Sequence, residues 1–102
     1  MFDTGFLVLT PEIQKHLNGH YCDLPVLFTA LDLHKNGDYG DIPTSDKELN
    51  DVAVKDGYNV LSAYRFSSGI MFLIMTEGSR EKTLVLFPSE AELLGGQDNG
   101  SD

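Results

Sequence analysis

Residues 58–87, YNVLSAYRFSSGIMFLIMTEGSREKTLVLF, decide the fold of this chain. Three stretches within them, Tyr58–Phe66, Ile70–Thr76 and Lys82–Phe87, are rich in aromatic, β-branched and other apolar side chains, which suit a pleated surface. Ser67-Ser68-Gly69 and Glu77-Gly78-Ser79-Arg80 separate them with short, polar, glycine-bearing connections. Consecutive strands joined so briefly must run antiparallel, so the segment predicts a three-strand meander. In its middle strand Ile70, Phe72 and Ile74 point one way and Met71, Leu73 and Met75 the other, so both faces are expected to be covered.

Upstream of Gly57 the apolar period is helical. Ser45-Asp46-Lys47-Glu48 matches a capping box, and Leu49, Val52 and Ala53 form the stripe expected to face the core before Gly57 ends the helix. A second helix is predicted from Asp23-Leu24-Pro25, carrying Leu27, Ala30, Leu31 and His34 on one face until Asn36-Gly37. A third starts at Thr10-Pro11-Glu12, turns Ile13 and Leu17 inward and stops at Asn18-Gly19. The apolar run Phe6-Leu7-Val8-Leu9 before it reads as a strand. The expected fold class is therefore α+β: a single domain over residues 1–94 with an N-terminal strand, about three short helices and then the three-strand antiparallel meander. GGQDNGSD, residues 95–102, reads as a flexible acidic C-terminal tail. A helical layer covers one sheet face, so the other calls for the tail, a folded-back loop or a second subunit, and a homodimer across that face is one expectation.

At 102 residues, 41% of them apolar and ten aromatic, the chain suits one packed interior. Seven Lys and Arg stand against sixteen Asp and Glu, a net charge of −9, which disfavours direct contact with nucleic acid or an anionic membrane. Residues 89–102 contribute four acids and no base, so the rest is only modestly acidic. A lone Cys22, an apolar start without a basic leader, and a longest apolar run of only Ile70–Met75 point to a cytoplasmic chain.

Several clusters imitate chemistry. Asp32 to Asp38, DLHKNGD, resembles the opening of a calcium loop, but His34 takes the third position and Pro43 the twelfth, where a bidentate Glu belongs. His16, His20 and Cys22 are soft-metal ligand types, but Gly19 interrupts their helix and no second pair completes a tetrahedron. His34, Asp38, Asp41 and Ser62 contain the parts of an acid/base or nucleophilic site, since a carboxylate can orient an imidazole that activates a hydroxyl. The bland reading of Ser62 is a small strand residue, and of the two aspartates, turn formers. Tyr39, set among glycines, is expected to be exposed and to suit a protein interface, and Arg65 and Arg80 are expected to pair with carboxylates. No catalytic residue, metal or cofactor is assigned; the candidate binding residues are His34, Asp38, Tyr39, Asp41 and Arg65.

Taken in order, HKNGDYGDIP, DKELND, VLSAY, MFLIMTE and TLVLFPSE resemble a family of small bacterial plasmid, phage and integrative-element proteins, often labelled plasmid-related. The resemblance covers roughly Leu7 to Glu90; members commonly end in Pro-Ser-Glu-Tyr, whereas here Ala91 follows Glu90. It implies a mobile-element context and carries no established activity. The expected function is a non-enzymatic accessory protein acting by protein–protein contacts made by the His34–Pro43 loop and nearby helix starts. The alternatives are an anti-defence inhibitor that presents its acidic surface to a restriction or CRISPR nuclease, and a small hydrolase or nuclease using His34 with Asp38 or Asp41.

Overall fold

The computed structural model describes residues 2–91. Strand β1 (Phe6–Leu9) leads into α1 (Pro11–Gly19), a one-turn 3-10 helix (Tyr21–Asp23), α2 (Leu24–Lys35) and α3 (Thr44–Asp56). Strands β2 (Val60–Arg65), β3 (Met71–Thr76) and β4 (Lys82–Leu86) follow, and residues 88–91 add a final helical turn. The chain is an α+β domain. Residues 92–94 and the acidic tail at 95–102 lie outside the described residues. Among the described residues no helix is long and apolar enough to cross a membrane.

Local signals explain most of the boundaries. Thr10 Oγ1 accepts a hydrogen bond from Ile13 N, Pro11 sits where no amide is required, and Glu12 lies at the positive end of α1. Gly57, at φ +79°, closes α3 in the left-handed conformation that a Cβ penalises. The expected capping box does not form. Pro43 is the N-cap, α3 begins at Thr44, and Ser45 is already inside the first turn, where its hydroxyl cannot cap; the Pro43 carbonyl accepts the Asp46 and Lys47 amides instead.

The buried stripe of α3 also differs from the expected one. Asn50 and Ala53 face inward, while Leu49 and Val52 are exposed. The reason is polar: Asn50 Nδ2 donates to Leu61 O at 2.6 Å and Leu61 N donates to Asn50 Oδ1 at 3.1 Å. One amide side chain thus satisfies both outward backbone groups of a β2 residue, which turns α3 so that position 50 faces the strand.

The sheet is a four-stranded mixed sheet rather than a three-strand meander, with order β1-β4-β3-β2. β2, β3 and β4 are antiparallel neighbours, and β1 joins β4 in parallel, with Leu7 opposite Thr83 and Leu9 opposite Val85. Register puts Val60, Ser62 and Tyr64 beside Thr76, Ile74 and Phe72 on the face that the helices cover. Phe72 and Ile74 are fully buried there with Ile13, Leu27 and Val85, and Phe66 stacks on Phe72 at 4.1 Å between centroids. On the opposite face Met71, Leu73 and Met75 are half-buried, so the described residues do not fully cover it. A smaller cluster of Phe2, Tyr39, Ala53 and Val60 fills the space beside α3.

Arg80 locks that corner. Its backbone is left-handed, at φ +63°, and its guanidinium donates to Tyr58 O, Glu77 O and Ala53 O at 2.8 to 3.0 Å while lying over the Phe2 ring. Instead of the expected carboxylate it finds the negative end of α3, where a cation is favoured.

Candidate functional site

His34 is the residue on which a catalytic reading turns, and it is completely buried. Its Nδ1 lies 2.5 Å from Ser62 Oγ and its Nε2 lies 2.8 Å from Thr76 Oγ1. Thr76 Oγ1 is 2.7 Å from Thr83 Oγ1, and Thr83 Oγ1 donates to Thr4 O at 2.7 Å. The terminal carbonyl fixes the direction of the whole chain, because it can only accept and each hydroxyl has one proton. Thr83 donates to Thr4, so Thr76 donates to Thr83 and His34 Nε2–H donates to Thr76. The neutral ring then accepts from Ser62 at Nδ1.

Burial, aided by the Arg80 charge, pushes the His34 pKa down to about 4, which keeps the ring in this neutral form. Of the four residues His34, Asp38, Asp41 and Ser62, the structure brings His34 and Ser62 together without either aspartate. The pair is sealed, since Thr76 and Thr83 are buried with it, and the second ring nitrogen meets Thr76 where a Ser-His-Asp triad places its carboxylate.

The loop after α2 folds back along the edge of β2. Asp38 Oδ1 accepts the Gly40 amide at 2.9 Å, Tyr39 O accepts Ala63 N at 3.2 Å, and Asp41 N donates to Ala63 O at 2.7 Å. Gly40 forms a parallel bridge with Ala63 at φ +67°, where a Cβ would stand 2.1 Å from the Ala63 carbonyl oxygen. Tyr39 is not the exposed anchor expected from its glycine neighbours. It is buried, and its hydroxyl donates to Asp51 Oδ1 at 3.0 Å. Burial and the Asp51 carboxylate push its pKa up to about 12. Asp41 and Arg65 do meet, at 3.4 Å, but both side chains are more than half exposed, so the pair contributes little stability. Arg65 Nη1 also donates to Gly69 O. Of the five candidate residues, His34 and Tyr39 thus point inward, while Asp38, Asp41 and Arg65 lie at the surface, and the five do not converge on one pocket.

Arg65 instead stands on the rim of an open, mostly apolar groove of about 350 Å3 between α2 and β2. Its walls are Pro25, Val26, Thr29, Ala30 and Leu33 from α2 and Tyr64 from β2. Tyr64 is held beneath Gly40 of the folded-back loop, and burial pushes its pKa up to about 12.

The metal candidates have other partners. His16 Nε2 lies 2.7 Å from Asp23 Oδ2, and its ring is stacked between Phe66 and His20. His20 Nδ1 is bonded to His16 O, and Cys22 is exposed. Among the described residues no three His, Cys, Asp or Glu side chains converge as a metal site. The calcium-like run fails for a plain reason: Asp32 to Lys35 belong to α2, so the segment does not wrap around a centre.

Sequence reasoning overlooked Asp23. Fully buried, it accepts from Ser67 N at 3.0 Å and from Ser67 Oγ at 2.5 Å besides facing His16. Burial works to raise its pKa; the Ser67 hydroxyl, His16 and the Ser67 amide outweigh that and bring it down to about 2. An acid at a helix start, seven residues after His16, is the hint the sequence holds. No family profile, curated protein or solved structure matches the chain.

Proposed function

We propose that the protein is a non-enzymatic, cytoplasmic interaction module of the mobile-element kind its sequence resembles, and that it grips a protein partner in the groove between α2 and β2. The observation that carries this reading is the groove: an open apolar trough with Leu33 at one wall and the Arg65–Asp41 ion pair beside it. An apolar centre within a polar rim is the anatomy of a protein contact. The side chains best suited to chemistry, His34 and Ser62, are bonded to one another out of reach of solvent. The occupant is a partner segment that places an apolar side chain against Val26, Leu33 and Tyr64 and sets its own charges against Arg65 and Asp41. This keeps the contact beside the His34–Pro43 loop and the start of α2 while shifting it from the loop's side chains to the trough.

Affinity capture from the bacterial host tests it. Wild type and a control with Lys55→Glu on α3 should retain the same partner, whereas Leu33→Asp and Thr29→Trp, which charge or fill the trough, should lose it with the fold intact by circular dichroism. Capture that is indifferent to both groove substitutions would remove the reading.

A further inference from the structure

The two edges of the sheet are finished in opposite ways. The β2 edge is covered: Tyr39 to Asp41 bond to Ala63, and Asn50 bonds to Leu61. The β1 edge carries Phe6-Leu7-Val8-Leu9 without a charge or a proline, the usual means of keeping an edge strand single. Phe6 is 81% exposed, Leu7 44% and Val8 38%, and on the helix side Leu7 shares a shallow groove with Phe28, itself 60% exposed.

Backbone polarity follows the same division. Phe6 N donates to Glu81 O and Thr10 N to Val85 O, so the even-numbered residues bond toward β4. A parallel ladder alternates, which leaves the Leu7 amide and carbonyl and the Leu9 amide pointing away from the sheet. The Leu9 carbonyl is taken by Gln14 Nε2 at 2.8 Å.

We propose that β1 is a dimerisation edge, pairing antiparallel with β1 of a second copy about a two-fold axis at Leu7, so that two four-stranded sheets become one of eight strands. The register is self-complementary. Leu7 N–H and C=O exchange bonds with the same groups of the second copy, and the left-handed Gly5, at φ +61°, ends the pairing beyond Phe6. Phe6 packs beside the second copy's Val8 on one face, while the two Leu7 side chains meet on the other between the two Phe28 rings.

The identity of the occupant follows from charge and area. A chain of net charge −9 repels its own kind, but the four residues of β1 are uncharged and the groups bordering them are of both signs, Glu77, Glu81 and Lys82 beside Phe6 and Val8 and Asp32 and Lys35 beside Leu7 and Phe28. The exposed parts of Phe6, Leu7, Val8 and Phe28 amount to roughly 400 to 500 Å2 per copy, under about 1,000 Å2 for the pair, the size of a weak, concentration-dependent contact. This inference is independent of the groove, which lies at the opposite edge of the sheet.

Light scattering and sedimentation on the full chain test it. The mass should approach twice 11.3 kDa at tens to hundreds of micromolar protein. Phe6→Lys, at a position already in solvent, should leave the circular dichroism unchanged and weaken association by about 100-fold, because each substitution is met twice across the axis. In a Cys22→Ser background, Leu7→Cys should cross-link on mild oxidation, since a hydrogen-bonded antiparallel pair brings its Cα atoms to about 5.5 Å, within disulfide reach. Leu61→Cys in the same background should not. Groove substitutions should leave the mass unaltered. An 11.3 kDa species at every concentration overturns the proposal, as does a dimer that survives Phe6→Lys or fails to cross-link through position 7. A monomer whose β1 edge is filled by a foreign peptide overturns it equally.

Discussion

Acidifying the protein from pH 7 to pH 5 should cost about 2 kcal/mol of folding stability through His34 alone. In the unfolded chain this histidine takes up a proton near its ordinary pKa of 6.5; in the folded protein it refuses one until about pH 4. Between those values the unfolded state binds more protons than the folded one, so stability is full above pH 6.5 and falls as the pH drops toward 4. The whole window is worth about 3 kcal/mol, of which about 2 are lost by pH 5. Urea denaturation followed by circular dichroism at pH 7, 6 and 5 measures it directly. With a slope of about 1 kcal/mol per molar for a domain of this size, the midpoint should fall by roughly 2 M. His34→Gln supplies the control. It should be weaker at pH 7 by about 1 to 3 kcal/mol, for lost ring packing and imperfect bonds to Ser62 and Thr76, yet shallower in its pH dependence by about 2 kcal/mol. His16 and His20 are common to both proteins, so the difference between the slopes isolates His34. Equal losses in the two proteins would refute the sealed, neutral imidazole.

Asp23→Asn should destabilise by about 2 to 4 kcal/mol in urea, because it removes a buried charge that accepts from Ser67 and faces His16. The wild-type contribution of Asp23 is present above its ordinary pKa of 3.8 and disappears as the pH falls from there to about 2, so the variant should show a flatter acid limb. Gly40→Ala should cost above 1 kcal/mol, since φ is +67° and the new Cβ would meet the Ala63 carbonyl. Amide exchange at Asp41 and Ala63 should quicken in that variant, and unchanged protection there would show that the loop does not latch β2.

What could be read from the residues was local. Thr10-Pro11 and Gly57 act on their own helix ends, and the aromatic and β-branched stretches after Gly57 made strands where they were expected. Where the outcome turned on a distant partner, local reasoning failed. Leu49 and Val52 were the better candidates for burial by hydropathy, but Asn50 won because it alone could bond the Leu61 backbone eleven residues away. Tyr39 looked exposed because glycines surround it, yet the left-handed turn they permit drives the ring under α3 beside Asp51. His34 lies on the apolar face of its helix and is buried, against the expectation that it makes contacts from the surface loop; its partners were harder to foresee. Thr76 and Thr83 are inward-facing polar residues on adjacent strands, and their opposed register shows only once the strands are paired.

The placement of β1 has a temporal consequence. Of the described strands the first in the chain hydrogen-bonds to the fourth, with Phe6 opposite Lys82, so the nascent chain must hold an apolar FLVL segment without its neighbour until β4 emerges. Such sequence-distant parallel closure is entropically slow, because the intervening loop must be ordered before the contact rewards it. The meander and the helices therefore have time to assemble first, and the amino-terminal strand is set to dock late, on a scaffold already in place.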